Sequence, residues 1–294
     1  MKASVVVLDK PAGMTSFAAV NAVKRLCGAS KAGHCGTLDP DATGVLPVML
    51  DNGVKASEYL TDHDKSYIAA VCLGVTTDTG DIGGNVLSRF EGTLPDFAAF
   101  SAVASQFAGE QQQTPPMFSA LKVNGQKLVD LARRGVTVER ENRRIFISSI
   151  EAFEENGRFM LSVDCSRGTY IRTLCEDIGA RLGCGAAMAS LRRTRVGDFS
   201  LEDAVTFEQL ADPEIRREKI FDIEYVFRKL QVLRLPPFFE RLVRNGQAVL
   251  LRKLGFAAEI GARLRFAGET GFFALGCVCE TSDGPAVKAV KQFC

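Results

Sequence analysis

One segment rich in glycine and proline, residues 33–47, constrains the fold more than any other part of this chain. Glycine and proline disrupt helices and central strands, so their density here predicts a shaped loop. We expect three apolar side chains to anchor that loop in a core: Leu38, Val45 and Leu46. Asp39 is then left at the tip, where loops on rigid scaffolds often carry chemistry. The alternative is a plain turn, which Asp39 and Pro40 would form for local reasons alone.

The composition is that of an ordinary globular protein. Of the 294 residues, 46% are hydrophobic and 24% are charged, which suits one large domain or two unequal ones. No apolar run approaches the ~18 residues that span a bilayer. The apolar stretch near the N-terminus is too short for a signal peptide. We therefore expect a cytoplasmic protein with no membrane partner.

The cysteines and histidines give little support for a metal site. Nine cysteines at irregular spacing, without a Cys-x-x-Cys pair, accompany only two histidines. We interpret most of the cysteines as small buried residues in a reducing compartment. Cys35 lies in the Asp39 loop and could act as a nucleophile, but no triad partners accompany it, so a spectator role is favoured.

Basic residues occur in clusters although the net charge is only +1. Such a total neither requires nor excludes a nucleic-acid partner, because binding needs a basic patch and not a basic sum. Each cluster alone is more often a solvated face than a phosphate site. The clusters are Arg133-Arg134, Arg140, Arg143-Arg144, and Arg192-Arg193 with Arg195.

Hydrophobic periodicity predicts strands and helices in mixed order. Ser16 is suited to cap a helix that runs to Cys27, with Phe17, Val20, Val23 and Leu26 on one face. Strands are predicted at residues 4–8, 66–73, 143–153, 158–165 and 188–199. Further helices are predicted at residues 97–107, 126–134, 170–182 and 212–228. Turn signals between neighbouring strands indicate hairpins, so we predict an α+β fold with a mixed, largely antiparallel sheet flanked by helices.

A domain boundary is predicted near residues 225–236, which gives units of 1–230 and 231–294. Pro236-Pro237 begins the second unit, and a short helix over 238–244 follows. After this helix, three runs with strand character are expected at residues 262–267, 271–279 and 285–293. The second unit is therefore predicted to be a small β-rich domain.

Five segments match, in order along the chain, the motifs of one family. They are Asp9-Lys10-Pro11-Ala12-Gly13-Met14-Thr15-Ser16, the Asp39 loop, Lys65-Ser66-Tyr67 with Thr77-Asp78-Thr79-Gly80-Asp81, Cys165-Ser166-Arg167-Gly168-Thr169-Tyr170-Ile171-Arg172, and Leu191-Arg192-Arg193-Thr194. In these segments the chain resembles the tRNA pseudouridine synthase B (TruB) family, whose catalytic loop follows the pattern G-H-x-G-x-L-D-P-x-A-x-G-x-L. Five ordered matches are far more specific than one short motif.

The resemblance implies a pseudouridine synthase fold and the isomerisation of uridine 55 in the tRNA T-loop. The reaction breaks the N1–C1′ bond, turns the uracil and rejoins it through C5. No redox change or net hydrolysis occurs, so no cofactor and no metal are expected. The resemblance also implies a C-terminal PUA-like RNA-binding domain that holds the acceptor arm of tRNA, in a protein expected to be a monomer without an obligate protein partner.

Three residues match family positions at the catalytic centre. Asp39 matches the essential carboxylate, which either attacks C1′ as a nucleophile or takes a proton from C2′ as a base. The sequence leaves both routes open. Arg172 matches a position beside that carboxylate and could bind it through two hydrogen bonds; an exposed helix face is its alternative. Tyr67 is expected on the uracil ring, near the C5 proton that must leave, with strand packing as the alternative.

Tyr170, Leu191 and His34 match positions that contact the substrate. Tyr170 and Leu191 are expected to line the uridine pocket, although each would otherwise be interpreted as plain core. His34 is expected to fill the gap left by the flipped base or to stack on a neighbouring base.

The remaining candidates concern the loop and the RNA backbone. Lys10 is expected to support the catalytic loop, with a phosphate contact as the alternative. Asp81 is expected to orient a pocket group or to cap a loop. Arg192 and Arg193 are expected to bind tRNA phosphates in a salt-sensitive contact.

Other functions stay open beside the synthase. One is an RNA chaperone that unfolds and refolds tRNA without depending on catalysis. Another is a guide-RNA-dependent relative acting on ribosomal RNA, which ranks lower because the charged tails of such relatives are not seen here. A metabolic enzyme with a chance Asp-Pro loop ranks lowest.

Overall fold

The structure, a computed structural model, describes residues 3–61 and 63–293 and combines two main β-sheets with short helices. The strands are β1 Ser4–Lys10, β2 Ala32–His34, β3 Thr43–Leu50, β4 Lys65–Leu73, β5 Val75–Thr77, β6 Val86–Arg89, β7 Gly109–Gln113, β8 Lys122–Val123, β9 Gln126–Lys127, β10 Arg143–Glu155, β11 Arg158–Cys165, β12 Ala186–Val196, β13 Phe199–Ser200, β14 Ile220–Asp222, β15 Val232–Arg234, β16 Val249–Leu250, β17 Arg263–Gly268, β18 Gly271–Cys279 and β19 Ala286–Gln292. The helices are α1 Ser16–Leu26, α2 Ser57–Thr61, α3 Phe97–Ala104, α4 Leu128–Ala132, α5 Ile171–Arg181, α6 Phe207–Ala211, α7 Pro213–Lys219, α8 Pro237–Arg244 and α9 Leu251–Leu254.

The larger sheet has ten strands and positions the site. Its main order is β14-β1-β3-β12-β4-β11-β10-β7, while β2 pairs with β3 and β13 pairs with β12. All of these pairs are antiparallel except β3 with β12, which run parallel where Thr43 and Gly44 meet Arg192 and Arg193. The predicted α+β fold with a mixed, largely antiparallel sheet is confirmed.

Both faces of the larger sheet are covered. Along β1, Val6 and Leu8 join the core cluster that contains the buried residues of α1 and α5, whereas Val5 and Val7 join a second cluster on the opposite face. Burial of such a side chain stabilises the fold by about 1.5–3 kcal/mol. The sheet is therefore packed against an apolar core on each face, and it forms a rigid support for the loops at its edge.

The smaller sheet has the order β15-β17-β18-β19-β16 and encloses its own apolar cluster with α8. The helix and the three strands predicted for this region are confirmed. Leu275 of this sheet and Phe293, which directly follows its last strand, also pack in the second cluster of the larger sheet, beside Val226 and Phe227. The two sheets thus share a core, and the domain boundary at residue 230 stays a prediction.

The loop predicted over residues 33–47 is wrong at both of its ends. Residues 32–34 form β2, and residues 43–50 form β3, an interior strand that includes Pro47. The carbonyl of Pro47 accepts from the Cys35 amide, so the ring nitrogen of Pro47 faces the same side, away from its β1 partner Val7. Its missing N–H therefore removes no bond between β1 and β3, and the strand tolerates proline.

Three helix predictions also need correction. The side chain of Thr15, and not Ser16, caps α1, and Phe17 is 74% exposed while Ala19 takes its place in the core. Within residues 212–228, α7 ends at Lys219 and gives way to β14, which pairs with β1. Residues 126–127 form β9 of a hairpin around the Asn124-Gly125 turn before α4 begins. In the second case a tertiary pairing with β1, and in the third a hairpin pairing with β8, overrides the local helix propensity.

Candidate active site

A cavity of about 390 Å³ opens where the segment between β2 and β3, residues 35–42, meets β4, β12 and the start of α5. Six of the residues predicted from the sequence line it: Asp39, Tyr67, Tyr170, Arg172, Leu191 and Arg193. The cavity is large enough for a nucleoside, and it is the only one among the described cavities that contains Asp39.

Two buried polar side chains hold the Asp39 loop in place. The Lys10 ammonium, at the end of β1, donates to the carbonyl oxygens of Pro11, Met14 and Pro40 at 2.7, 2.8 and 2.9 Å. Ser16 Oγ donates to the Leu38 carbonyl and accepts from the Leu38 amide, both at 2.9 Å. The residues on both sides of Asp39 are thus fixed by hydrogen bonds from the first motif of the chain.

Arg172 binds the Asp39 carboxylate through two contacts. Its Nε lies 2.9 Å from Oδ2, and its Nη2 donates to Oδ1 at 3.3 Å. Nη1 and Nη2 also donate to the carbonyls of Thr79 and Phe118 at 2.7 and 2.8 Å. Arg172 is in the first turn of α5, where the helix dipole disfavours a cation, so these partners offset an unfavourable position. The alternative of an exposed helix face is excluded, since Arg172 is 5% exposed.

Asp81 extends this ion pair to a second carboxylate. Its Oδ2 lies 3.9 Å from Arg172 Nε, while its Oδ1 accepts from the Thr79 hydroxyl at 3.0 Å and the Gly83 amide at 3.1 Å. Asp81 therefore combines the two roles that the sequence left open, since it both caps its loop and faces the arginine of the cavity.

Desolvation in the cavity raises the pKa of Asp39, and the nearby Arg172 cation opposes that rise. Asp81 adds to the rise, and Lys10 opposes it. The carboxylate is still 39% exposed, so it can reach a bound molecule. The Arg172 cation favours the ionised form of Asp39, and both an acid–base role and a nucleophilic role require that form.

Tyr67, Leu191 and Tyr170 form the apolar wall of the cavity. Tyr67 on β4 is 8% exposed and Leu191 on β12 is 9% exposed. Burial raises the pKa of both the Tyr67 and the Tyr170 hydroxyl. The backbone of Tyr170 is held by the Gln113 side chain, which accepts from its amide at 2.7 Å and donates to its carbonyl at 3.0 Å. These side chains give the cavity an apolar lining beside the carboxylate.

His34 lies on β2, opposite Val48, and is not among the residues that line the cavity. Burial, aided by the Arg193 cation, lowers the pKa of its imidazole, which is therefore neutral at pH 7. A neutral ring at this position could stack on a base at the rim, so the predicted role of His34 stays a prediction.

The two adjacent arginines of β12 have different surroundings. Arg192 is 41% exposed and binds the Asp9 carboxylate through contacts of 2.7 and 3.2 Å. Arg193 is 1% exposed and lines the cavity. The prediction that Arg193 contacts tRNA phosphates is therefore wrong, because its guanidinium cannot reach the surface. Lys10, with 0% exposure, cannot reach it either.

Sequence reasoning missed several residues of the site. Lys65 lines the cavity and is 7% exposed, and residues 118–121 form part of its wall. Ser16 and Gln113 position the loop and Tyr170. The sequence signalled Lys65 only as part of the Lys65-Ser66-Tyr67 motif, and Gln113 gave no signal because its contact with Tyr170 joins residues far apart in the chain.

Cys35 is buried in the second core cluster, with its thiol donating to the Ser57 carbonyl at 3.2 Å, so the spectator role that the sequence favoured fits its position. Within residues 3–61 and 63–293, no group of three His, Cys, Asp or Glu residues is arranged to hold a metal ion. Over the same residues, no helix is long and apolar enough to cross a membrane.

Comparison with known families gives two matches in sequence. The model described as TruB family pseudouridylate synthase (N terminal domain) matches residues 24–171. The model described as tRNA pseudouridylate synthase B C-terminal domain matches residues 172–232. The first match contains Asp39 and Tyr67, and the second begins at Arg172.

Individual relatives are similar over most of their length. A protein named tRNA pseudouridine synthase B from an Azoarcus species is 49% identical over 220 residues, which is 74% of this chain and 73% of the relative. A protein of the same name from Clostridium tetani is 39% identical over 268 residues, 91% of this chain and 92% of the relative.

Two solved structures with a similar fold are chains of ribonucleoproteins. A chain from an H/ACA ribonucleoprotein bound to a substrate RNA containing 2′-deoxyuridine has a TM-score of 0.72 and 26% identity, over 99% of this chain and 85% of that one. A chain from an archaeal box H/ACA small ribonucleoprotein has a TM-score of 0.70 and 27% identity, over 99% and 86%.

Proposed function

The chain belongs to the TruB family of pseudouridylate synthases, and from that premise we propose that its cavity isomerises uridine 55 in the T-loop of tRNA to pseudouridine. The protein is thus a tRNA pseudouridine synthase, an isomerase. The observation that carries the proposal is the Asp39 carboxylate, which Arg172 holds at 2.9 Å in a cavity large enough for a nucleoside.

Asp39 begins the reaction at the ribose. Its carboxylate either attacks C1′ as the N1–C1′ bond breaks, or removes the C2′ proton so that the bond breaks by elimination. Arg172 fixes the carboxylate in one orientation, and a fixed geometry lowers the barrier for either route. Asp81 in turn restrains Arg172.

Tyr67, Tyr170 and Leu191 hold the uracil while it turns. A slot with aromatic and aliphatic walls binds the flat faces of the ring without fixing its edges, so the detached base can rotate until C5 faces C1′. After the new C5–C1′ bond forms, the proton on C5 must leave, and we assign its removal to the Tyr67 hydroxyl. The ring then regains its planar form with a proton at N1.

The uridine must leave the stacked T-loop to enter the cavity. Flipping costs a few kcal/mol of unstacking and unpairing energy. His34 is neutral and lies on the strand that leads into the Asp39 loop, so we propose that its ring stacks at the rim and offsets part of this cost. Arg192 is half-exposed, so it can contact a phosphate of the tRNA, whereas the adjacent Arg193 is buried. The Asp9 carboxylate, which Arg192 also binds, competes for the same guanidinium.

The C-terminal sheet is a small PUA-like β domain, and we propose that it holds the acceptor arm of tRNA. Leu275 and Phe293 pack this sheet against the core of the catalytic unit. The sheet can therefore hold the acceptor arm at a fixed distance from the cavity. We further propose that the protein works as a monomer in the cytoplasm, with tRNA as its partner and without an obligate protein partner.

The ribonucleoprotein neighbours favour a second candidate, a guide-RNA-dependent synthase. Against it, the sequence relatives at 39–49% identity are named tRNA pseudouridine synthase B, and they are more similar than the ribonucleoprotein chains at 26–27%. A reaction with purified protein and tRNA alone, without any guide RNA, separates the two candidates.

The experiment follows tritium release from a T-loop RNA labelled at uridine C5, together with RNA binding. Wild type is expected to release tritium, whereas Asp39→Asn should release it on the order of 10⁴-fold more slowly while binding RNA within about threefold of wild type. Asp41→Asn, an exposed carboxylate two residues further on, is the matched control and should behave as wild type. Binding without release by the wild type would instead support a tRNA chaperone.

A further inference from the structure

The structure contains a buried cation that the mechanism above does not use. Arg193 is 1% exposed, and no Asp or Glu among the described residues lies within ion-pair distance of it. Its Nε donates to the Val45 carbonyl at 2.8 Å, and its Nη2 donates to the Gly36 carbonyl at 3.0 Å. A buried guanidinium that carries only neutral partners is costly and is seldom present without a function.

The remaining side of this guanidinium faces Tyr67. Arg193 on β12 and Tyr67 on β4 are direct cross-strand partners, so their side chains leave the sheet on the same face. The Arg193 guanidinium is the cation that interacts most strongly with the Tyr67 hydroxyl, and both residues line the cavity that holds Asp39. Tyr67 therefore has a fixed positive charge beside its hydroxyl oxygen.

The loop is shaped to let this contact form. Gly36 has a φ of +75°, and a Cβ at that position would lie 3.2 Å from Arg193 Nη1 and 3.3 Å from Lys65 Cε. The close approach allows the Gly36 carbonyl to fix the guanidinium. Arg193 thus bridges β3, the Asp39 loop and Tyr67.

We propose that Arg193 is a positioning residue for catalysis, which orients the Tyr67 hydroxyl and stabilises the negative charge on its oxygen while Tyr67 moves a proton from uracil C5 to N1. The proposal rests on the role assigned to Tyr67 above. N1 and C5 flank the same ring carbon, C6, so one oxygen can reach both.

The proton transfer balances within the ring and Tyr67. Once the C5–C1′ bond has formed, N1 has a lone pair and a double bond to C6, and C5 still carries hydrogen. Tyr67 gives its hydroxyl proton to N1 and takes the proton of C5. The electrons of the C5–H bond become the C5–C6 double bond, and the N1–C6 double bond becomes single. The Tyr67 hydroxyl is restored, and the guanidinium stabilises the charge that its oxygen carries between the two transfers.

Other ionisable groups also face this pair. Burial raises the pKa of the Tyr67 hydroxyl, and Arg193 is the largest influence in the opposite direction. The other groups that face the pair are Lys65 from β4, Cys165 from β11, Cys35 and Asp39 from the loop, His34 from β2 and Lys10 from β1. Lys65 is positive as well, but its ammonium donates to the His63 carbonyl at 2.6 Å, so Arg193 is the cation engaged with the hydroxyl.

The test is a double-mutant cycle in single-turnover reactions, on T-loop RNA with hydrogen or deuterium at uridine C5. Arg193→Met is expected to slow pseudouridine formation about 10²–10³-fold and to increase the deuterium isotope effect, because proton removal becomes limiting. RNA binding should stay within about threefold. In a protein that already carries Tyr67→Phe, Arg193→Met should slow pseudouridine formation by less than about a further threefold, because the partner hydroxyl is already absent.

Two further variants keep the proposal falsifiable. Arg193→Lys keeps a charge near Tyr67, so it should fold even where Arg193→Met does not, and it should recover part of the lost rate. Arg195→Met is the matched control on the same strand; Arg195 is 39% exposed, binds Asp164 and does not line the cavity, so the rate should not change.

Equal slowing by Arg193→Met in both backgrounds, or an unchanged isotope effect, would overturn the proposal and leave Arg193 a structural residue. A Tyr67→Phe protein with the wild-type rate would overturn it as well, while the synthase function would stand. A wild type that forms no pseudouridine would contradict the proposed function itself.

Discussion

Lys10 gives the sharpest prediction about how the catalytic loop is held. Its side chain is 0% exposed, and its ammonium donates to three carbonyls, of which the Pro40 carbonyl directly follows Asp39. The substitution Lys10→Met keeps the length of the side chain and removes the three donors. Burial already lowers the pKa of the Lys10 ammonium, which reflects its cost of desolvation.

The expected loss of stability follows from two opposing contributions. Three hydrogen bonds to a charged donor stabilise by ~1.5–3 kcal/mol each, and removal of the buried ammonium recovers several kcal/mol of desolvation. Pro11 and Pro40 are exposed, so water can satisfy part of what their carbonyls lose. We expect a net destabilisation of about 3 kcal/mol, which corresponds to a fall in Tm on the order of 10 °C.

Thermal unfolding and single-turnover pseudouridine formation check this prediction. Because Asp39 loses a support of its loop, the rate should fall about 10²-fold even where the variant is fully folded. Lys253→Met, at an exposed lysine of the C-terminal region, is the control and should leave both values unchanged. A Tm within about 2 °C of wild type, with a wild-type rate, would refute the reasoning.

Three more predictions concern the fold and pH. Gly44→Ala should destabilise the protein, measured by urea unfolding, because Gly44 has a φ of +102° and an added Cβ would lie 2.1 Å from the Arg193 carbonyl oxygen. The rate of the wild type should fall on the acid side at a pH above 3.8, since the pKa of Asp39 is raised and the ionised form reacts. Asp51→Asn should lower the free energy of unfolding at pH 7, because hydrogen bonds from Ser30 and Lys31 lower the pKa of Asp51 to about 2. This difference should shrink as the pH falls from about 4 towards 2, where wild-type Asp51 takes up its proton.

The last three predictions have clear contrary results. An unchanged urea midpoint for Gly44→Ala would mean that β3 and β12 can separate without cost. If the rate falls only at or below pH 3.8, Arg172 lowers the pKa of Asp39 by at least as much as desolvation raises it. A constant difference between pH 7 and pH 2 for Asp51→Asn would mean that replacing a carboxylate oxygen by an NH2 group, and not the loss of charge, destabilises the turn.

The adjacent arginines Arg192 and Arg193 illustrate where sequence reasoning succeeded and failed. Residues 188–199 were predicted to be a strand, and neighbouring side chains of a strand point to opposite faces. If Leu191 lines the pocket, Arg193 must share its face and Arg192 must not. The error came from treating the run of basic residues as one surface cluster. The alternation of side chains along a strand would have placed Arg193 beside the cavity and Arg192 on the opposite face.

Other features could not be predicted because they depend on distant contacts. The motif match identified Asp39, Arg172 and Tyr67, but nothing local indicates that the Phe118 carbonyl accepts from Arg172 across 54 residues. Pro47 contradicted strand formation by local rules, and only the pairing of β2 and β3 shows why it is tolerated. The β-rich C-terminal region was predicted correctly because its strands are short runs rich in apolar residues, separated by polar and glycine-containing segments.

The central claim is that Asp39 in this cavity converts one tRNA uridine to pseudouridine without a guide RNA. The most direct measurement maps every pseudouridine in an unmodified tRNA transcript after reaction with purified wild type or Asp39→Asn. The account predicts one pseudouridine, at position 55, with the wild type and none with the variant in the same time. Formation at the wild-type rate by Asp39→Asn, or no modification by the wild type, would contradict it.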